Sequence, residues 1–376
     1  MNVFKQVVTE LESDPSEYKL GQGWISGVLG LVLAAVCLSS VIILKYPQLL
    51  TTPEIRNAID VTLFRSVIQG LLVVAFAFSV ISLILREKRI MGLSTMVLIL
   101  VSLTLGGAQA QQAVATSGQV YFALDWFMLN LLFSGIIFLP LERIFYRHSQ
   151  AVFRKEWRED LTYFFISSLM VQGLTYLSMA PSLTLLQGLE EAAFRVWVGE
   201  QPLMLQLLAI MFFTDFVQYW VHRLFHTVPA LWRFHAIHHS AETLDWLAGS
   251  RMHLVEVVAL RSTTIIPMYL LGFSTTAIYA YLILVYLYST YIHANVRWDI
   301  EWLKPIIVTP RFHHWHHGIE KEAVDVNFAV HFPLFDRLFG TYYMPKGQWP
   351  SGYGARSVNV PKGYLKQFVF PFTQKK

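Results

Sequence analysis

Long, uninterrupted apolar runs are the feature of this sequence that most restricts its fold. A helix needs roughly 20 apolar residues to cross the hydrocarbon core of a bilayer. Six runs approach that length: Trp24–Leu44, Ser66–Leu85, Ile90–Ala108, Tyr121–Leu139, Leu161–Leu186 and Leu203–Val221. Two shorter runs, Leu254–Leu271 and Ala277–Ile292, flank a Gly-containing turn and are expected to form a helical hairpin. The sequence therefore predicts an all-α, polytopic membrane bundle of about six spans plus this hairpin.

Composition indicates that the chain lies in a lipid membrane rather than binding nucleic acid. Only 14% of the 376 residues are charged, whereas a soluble domain carries about 25%. The net charge of +4 suggests nucleic acid at first. However, the basic residues lie between apolar segments without interleaved aromatic residues, so no nucleic-acid partner is expected. The single cysteine, Cys37, excludes a disulfide framework and a cysteine-ligated metal site.

The charges of the loops predict how the spans are oriented. Lys and Arg are enriched in cytoplasmic loops, and the segments 86–89 and 143–158 are basic. In contrast, loop 109–120 carries no charge and loop 187–202 contains more Glu than Arg. This pattern places the N-terminus, the end of the sixth span and the end of the hairpin in the cytoplasm, although Lys45 and Arg56 in the first external loop oppose it.

Motifs are distributed unevenly, and we expect a domain boundary near residue 150. Residues 1–150 form an N-terminal region of about four spans without motifs. Residues 151–350 form a histidine-rich region that we expect to be catalytic, and residues 351–376 form a C-terminal tail. Of the 13 histidines, only His148 precedes residue 222.

The histidines form three clusters with metal-ligand spacing. His222 and His226 make an HxxxH motif, and HxxHH motifs follow at 235–239 and 313–317. Side chains three and four residues apart share a helix face, so the imidazoles of one cluster can converge. Closely packed imidazoles would repel one another if protonated, whereas a shared cation binds them in the neutral form. A lone histidine is more often a hydrogen-bonded interfacial residue than a ligand, but three clusters on one membrane face favour a metal.

The number of imidazoles predicts two metal ions. Imidazole suits Zn, Cu, Fe and Ni, and the clusters supply more nitrogens than the four that a tetrahedral zinc site takes. The Glu-x-x-His motif of soluble di-iron bundles is not evident in this sequence. The metal centre is therefore expected to form a cytosolic, histidine-rich helical cap on the bundle.

The order and surroundings of these clusters resemble the fatty acid hydroxylase/sterol desaturase superfamily of membrane-bound di-iron oxygenases. Segment Asp215–Arg223 resembles its first histidine box, and Leu231–Ser240 resembles its second. Arg251–Glu256 is similar to its R-x-H-P-x-E motif, with leucine in place of proline. The third box and its tail resemble residues 309–317 and 325–341, so the resemblance covers roughly residues 205–345.

The resemblance implies a non-haem centre of two Fe ions, with O2 as co-substrate and a lipid such as a fatty acyl chain or sterol as substrate. Electrons are expected from a separate reductase, ferredoxin or cytochrome, because no redox-cofactor motif is evident. Some family members carry a further HxxxH pair where this chain has only His293, with Arg297 four residues later. The implied metal ligands are His222, His226, His235, His238, His239, His293, His313, His316 and His317.

Asp215, Glu256 and Asn327 are the candidate catalytic residues outside the boxes. Asp215 lies two helical turns before the first box, where it either orients a ligand imidazole or makes a structural hydrogen bond between helices. Asn327 is either a partner of a ligand or a turn former. His253 is interpreted as a partner of Glu256 or a tenth ligand, and His314 is a less secure ligand. Asp336 is expected to pair with a basic residue or to cap a helix.

The predicted reaction is hydroxylation or desaturation of a lipid C–H bond, and two other classes remain open. A membrane metal-binding or transport protein would also need histidine ligands, but those of transporters usually lie at the bilayer midplane. A zinc-dependent hydrolase would need an open coordination position and a general base, for which Glu256 or Asp215 is available.

Overall fold

The computed structural model describes residues 2–13, 18–112, 121–185, 193–298, 300–356 and 358–373. Within these ranges the chain forms 17 α-helices, short 3₁₀ turns and two isolated bridges, with no β-strand. The prediction of an all-α fold is confirmed. Eight of the 12 residues of loop 109–120 and six of the 16 residues of loop 187–202 lie outside the described residues. Both loops were used to predict the orientation.

The described helices are distributed along the chain from its N-terminal part to its C-terminal part. The first nine are α1 (Val3–Leu11), α2 (Trp24–Lys45), α3 (Pro47–Leu50), α4 (Pro53–Ala58), α5 (Val61–Leu85), α6 (Ile90–Thr104), α7 (Leu124–Ile144), α8 (Trp157–Leu169) and α9 (Val171–Leu185). The other eight are α10 (Ala193–Gly199), α11 (Leu203–Thr227), α12 (Pro229–His238), α13 (Leu254–Leu271), α14 (Thr275–His293), α15 (Pro310–His316), α16 (Leu334–Leu338) and α17 (Tyr364–Thr373).

Seven of the described helices are long and apolar enough to cross a membrane, namely α2, α5, α6 with the 3₁₀ turn that follows it, α7, α11, α13 and α14. The bent pair α8–α9 gives an eighth span if it is counted as one. The chain is therefore built as a multi-pass membrane protein, with the number of apolar segments that the sequence predicts.

The predicted fifth span, Leu161–Leu186, is not one straight helix, and its last residue lies outside the described residues. The helix breaks at Met170, and its two halves meet at an angle of 65°. At the break, the carbonyl of Leu169 accepts a hydrogen bond from the backbone N–H of Ala123 at 3.4 Å. Hydropathy does not reveal such a bend, because it reflects only local composition. The carbonyl that the break leaves without a helical partner is instead bonded by Ala123, a residue distant in the sequence.

The described residues divide into two compact units. One comprises residues 1–133, 150–155 and 168–172, and the other comprises residues 134–149, 156–167 and 173–376. The predicted boundary at residue 150 stays a prediction. In the first unit, α2, α5 and α6 pack through small residues such as Ala34 and Ala75, which let helices approach closely where lipid offers no hydrophobic driving force.

In the second unit, three membrane-length helices bring the histidines to one end. Helix α11 packs against α13 and α14, and α13 and α14 form the predicted hairpin around Gly272, whose φ of 78° favours glycine. The C-terminal ends of α11 and α14 and the N-terminal end of α13 therefore carry the histidine motifs. Two short helices, α12 and α15, each begin with proline at the first turn and complete a histidine-rich cap.

Candidate metal centre

The structure gathers nine histidines into two groups. Within each group the candidate ligand atoms all lie within 4.8 Å of one another. Group one consists of His222, His226, His235, His239 and His316, and group two consists of His238, His293, His313 and His317. These are the same nine residues that the sequence resemblance implies as ligands, and α11, α12, α14 and α15 bring them together.

Group one is a set of imidazoles whose Nε2 atoms face one another. His235 Nε2 lies 3.0 Å from His222 Nε2 and 3.1 Å from His239 Nε2. His239 Nε2 in turn lies 3.0 Å from His316 Nε2. His226 completes the group with a buried Nε2 atom that has no hydrogen-bond partner among the described residues.

Group two has the same arrangement with four rings. His293 Nε2 lies 3.2 Å from His238 Nε2 and 2.9 Å from His313 Nε2. His317 Nε2 lies 3.1 Å from His313 Nε2. All four side chains are buried. His293 is the single ligand from the hairpin, as its isolated position in the sequence suggests.

Each HxxHH box is divided between the two groups. His235 and His239, four residues apart on α12, belong to group one, whereas His238 belongs to group two. The third box divides in the opposite sense, with His316 alone in group one. This agrees with helix geometry. Around the helix axis, residue i+4 is rotated by about 40° from residue i in one direction, whereas residue i+3 is rotated by about 60° in the opposite direction. The sequence pattern predicts that these imidazoles cluster but does not show that a box serves two sites.

The two groups adjoin each other. The rings of His239 and His317 are stacked with centroids 4.3 Å apart, and those of His313 and His316 are stacked at 5.2 Å. Each of these pairs joins a member of group one to a member of group two. The arrangement therefore suits two neighbouring cations rather than two independent sites.

Backbone carbonyls fix the tautomer of four of these rings. In each case Nδ1 lies within hydrogen-bonding distance of a carbonyl oxygen. The pairs are His222 with Phe328 at 2.8 Å, His316 with Val326 at 2.8 Å, His238 with Arg251 at 3.2 Å and His293 with Ser289 at 2.7 Å. Because a carbonyl only accepts, Nδ1 carries the proton and Nε2 presents a lone pair to its neighbours.

The donor set fits metal ions. Lone pairs of neutral Nε2 atoms about 3 Å apart repel each other unless a cation lies between them. Burial lowers the pKa of His235, His239 and His313 well below its ordinary value, so these rings are neutral, which is the form that binds a metal. The orphaned Nε2 atom of His226 points to the same conclusion. The histidine groups can thus hold metal ions.

Glu256 adjoins group one through His235. Its Oε1 atom accepts a hydrogen bond from His235 Nδ1 at 2.5 Å, and both side chains are buried. The other carboxylate oxygen, Oε2, has no hydrogen-bond partner among the described residues. The sequence interpretation considered His253 as a partner of Glu256 or as a tenth ligand, whereas the structure pairs Glu256 with His235 of group one. This contact is of the kind that orients a ligand imidazole.

Asp215 and Asn327 lie near the histidines but bind backbone atoms. The Asp215 carboxylate accepts hydrogen bonds from the backbone N–H groups of residues 330 and 332 at 2.8 and 2.7 Å. Asn327 has a φ of 60° and bonds to the backbone of Tyr343 at both N and O. Of the two roles considered for Asn327, these contacts match the turn former. Asp215 contacts a loop rather than either an imidazole or a neighbouring helix.

His253 and His314 lie outside both groups. His253 Nδ1 accepts from the backbone N–H of Val255 at 3.1 Å, and its Nε2 donates to the carbonyl of Phe368 at 3.1 Å. His314 Nε2 lies 3.2 Å from the carbonyl of Ala294, and its Nδ1 lies 2.8 Å from the hydroxyl of Tyr353. Both rings thus use their nitrogens to hold the cap together.

Two close approaches to these groups come from residues that sequence reasoning did not assign to them. The carbonyl of Arg251 orients His238, and a Cβ atom on Gly249 would lie 2.9 Å from His293 Nδ1. Asp336 neither caps a helix nor forms an ion pair among the contacts described; it accepts from the backbone of Phe328. Backbone carbonyls carry no side-chain signature, although Gly249, two residues before the R-x-H motif, is visible in the sequence.

Apolar membrane-length helices topped by two adjoining imidazole groups define a membrane protein with two neighbouring histidine clusters that can hold metal ions. Residues 207–341 match the sequence model of the fatty acid hydroxylase family. The resemblance of the histidine-bearing part of the chain to the fatty acid hydroxylase/sterol desaturase superfamily is thus confirmed.

Curated relatives match part of the chain. The ornithine lipid hydroxylase OlsE of Rhizobium tropici is 31% identical over 180 residues, which are 48% of this chain and 54% of that protein. The alkylglycerol monooxygenase of Homo sapiens is 32% identical over 34% of this chain and 28% of its own length. Methylsterol monooxygenase 2-2 of Arabidopsis thaliana is 27% identical over 36% of this chain and 52% of its own length. The chain thus spans about half or less of these relatives, and no solved structure matches it significantly.

Proposed function

We propose that this protein is a membrane-bound, non-haem di-iron oxygenase that hydroxylates a C–H bond of a lipid. The observation that carries the proposal is the pair of adjoining groups of buried, neutral imidazoles, nine in all, at one end of membrane-length helices. The relatives support the reaction class, since their names describe a hydroxylase and monooxygenases of lipids, alkylglycerols and methylsterols. Desaturation begins with the same abstraction of hydrogen and is the alternative outcome at the same site.

Two iron ions, when bound, would supply the redox chemistry that reduces O2 and breaks the C–H bond. The nine histidines would hold them, five imidazoles on one side and four on the other. The residues around these rings keep them neutral and oriented. The carbonyl of Phe328 accepts from Nδ1–H of His222 in group one, and the carbonyl of Arg251 accepts from Nδ1–H of His238 in group two. The Glu256 carboxylate accepts from Nδ1–H of His235. Burial of the groups excludes bulk water from the reacting centre.

Lipid is the substrate class that suits the position of the groups. The first box lies at the end of α11, which presents exposed apolar side chains such as Phe216, Trp220 and Leu224 next to His222. In a bilayer such a surface faces acyl chains. Lipid tails can therefore contact α11 as far as the helix end that carries the first box, without passing through water.

Electrons would come from a separate reductase, ferredoxin or cytochrome, and the basic loops favour a cytosolic position for the histidine cap and the N-terminus. Both parts of the proposal rest on the sequence. The segments 86–89 and 143–158 are basic, and no redox-cofactor motif is evident in the chain. A cytosolic cap would be accessible to soluble electron carriers.

The two other classes fit the geometry less well. Ligands of a metal transporter lie near the bilayer midplane on interrupted helices, whereas these groups lie at helix ends and in the short cap helices. A zinc hydrolase needs one metal with three protein ligands and an open position. Groups of five and four imidazoles exceed that requirement.

The proposal is tested by metal content together with oxygen consumption. Purified protein in lipid nanodiscs should contain about two Fe ions per chain and should consume O2 only with added lipid and a reductant. His238→Ala removes one of the four ligands of group two and should abolish lipid oxidation. His148→Ala changes a histidine outside both groups and serves as the matched control. Absence of iron, or full turnover in His238→Ala, would refute the proposal.

A further inference from the structure

A buried, non-helical segment of the second unit lies against group one. Residues 326–332 form no helix or strand, and most of their side chains are buried. The carbonyl of Val326 accepts from His316 Nδ1, and the carbonyl of Phe328 accepts from His222 Nδ1, each at 2.8 Å. We call residues 326–332 the orienting segment, because its carbonyl oxygens face the rings of two candidate ligands.

Two fully buried carboxylates hold the other side of this segment. The Asp336 oxygens accept from the backbone N–H groups of Phe328 and Ala329 at 2.8 and 2.9 Å. The Asp215 oxygens accept from the N–H groups of residues 330 and 332 at 2.8 and 2.7 Å. Four N–H groups of an irregular buried segment are thus satisfied by two side chains, one of them 115 residues away in the sequence.

A directed chain of hydrogen bonds fixes the Asp336 carboxylate. The hydroxyl of Thr341 donates to Asp336 Oδ1 at 2.7 Å. Because that proton is used, the Thr341 oxygen accepts from the hydroxyl of Tyr219, 2.9 Å away, which in turn accepts from Arg223. Burial raises the pKa of Asp336 to about 6, and the hydrogen bonds from these three donors oppose that increase. Tyr219 and Arg223 belong to α11, so the chain ties Asp336 to the helix that carries the first box.

We propose that Asp336 and Asp215 are positioning residues for group one, acting through the orienting segment. They hold the N–H groups of the segment so that its carbonyls meet Nδ1 of His222 and His316, which turns the Nε2 lone pairs of both rings towards the other members of the group. This inference rests on the proposed metal centre and adds a role for two carboxylates that touch no imidazole.

The geometry predicts that this role is confined to group one. In group two, His238 is oriented by the carbonyl of Arg251 and His293 by the carbonyl of Ser289, one turn earlier in its own helix. Neither carbonyl belongs to the orienting segment. Loss of the carboxylates should therefore lower the affinity for one metal ion and leave the affinity for the other unchanged. A merely structural role would lower both affinities together.

Asp336→Asn is the decisive variant. The substitution keeps the shape of the side chain but replaces one carboxylate oxygen with an amide NH2 group. That NH2 group faces the backbone N–H of either Phe328 or Ala329, so one of these two donors loses its acceptor. We expect the affinity for one of two metal ions to fall about 10- to 100-fold, as for other residues that orient ligands, while the other affinity stays unchanged. Titration of metal-free protein with cobalt(II), followed by absorption, measures both.

The matched control is Asp125→Asn in the first unit. Asp125 is also a buried aspartate whose oxygens accept from two backbone N–H groups, those of Thr52 at 2.8 Å and Trp126 at 2.7 Å. It contacts no residue of the histidine groups among the contacts described. Both cobalt affinities should remain those of the wild type.

Hydrogen–deuterium exchange of the metal-free proteins supplies a readout that does not depend on metal. Peptides that cover residues 326–332 should exchange faster in Asp336→Asn, whereas peptides that cover His238 and His293 should not change. Unchanged exchange in the segment, unchanged affinity for both ions, or equal weakening of both would each overturn the inference. A wild-type protein that binds no cobalt or iron would instead refute the proposed function, and the exchange result would still decide whether Asp336 holds the segment.

Discussion

Replacement of Glu256 by Gln is expected to weaken metal binding at group one without unfolding the protein. Glu256 Oε1 lies 2.5 Å from His235 Nδ1, and both side chains are buried. His235 Nε2 in turn lies between those of His222 and His239, at 3.0 and 3.1 Å. A change at Glu256 therefore alters the orientation of the His235 ring, whose Nε2 atom lies next to those of two other members of group one.

The magnitude follows from the change in hydrogen-bond strength. A hydrogen bond to a charged group contributes about 1.5–3 kcal/mol, and a neutral acceptor is roughly half as strong. The amide oxygen of Gln still accepts from His235 Nδ1–H, so the expected loss is about 0.8–1.5 kcal/mol. That corresponds to a decrease in metal affinity of about 4- to 13-fold at 25 °C. Glu256→Ala leaves His235 without this partner and should have a larger effect.

Competition between the protein and a chromophoric chelator for Fe(II), under anaerobic conditions, measures this change. One of the two affinities should fall in Glu256→Gln and the other should persist. Glu10→Gln is the control, because Glu10 is a buried carboxylate of the first unit that pairs with Arg86. Wild-type affinity for both ions in Glu256→Gln would show that the carboxylate does not orient His235.

Three further results are expected. Gly249→Ala places a methyl group 2.9 Å from His293 Nδ1, so it should displace that ring and lower the iron content towards one ion per chain, which metal analysis measures. His253→Gln removes a ring that bonds only to backbone and should keep both ions; loss of either would make His253 a ligand. Chelation of the metals should lower the temperature of thermal unfolding, because at 1,000 times the dissociation constant a bound ion stabilises the folded state by about 4 kcal/mol. An unchanged transition would contradict this.

Local sequence patterns predicted the helices and the members of the metal-binding groups. Apolar runs locate the spans because a helix in lipid must satisfy its own backbone. The spacing of four residues places His222 beside His226 and His235 beside His239, since helix geometry alone makes these pairs neighbours. Both inferences depend only on residues close together in the chain.

Features that depend on distant residues could not be predicted in the same way. The break at Met170 involves a backbone hydrogen bond from Ala123 to Leu169. The partners of Asp215 lie 115 and 117 residues away, and they are backbone N–H groups, which every residue except proline offers. The assignment of each histidine to one group or the other is likewise decided by how α12 and α15 dock.

The division of the second box between the groups has a mechanical consequence. His238 and His239 are consecutive residues, yet each serves a different group. Any displacement of the end of α12 therefore moves a member of each group, because the backbone joins these two residues covalently. A movement of this helix would accordingly alter both groups at once rather than one of them alone.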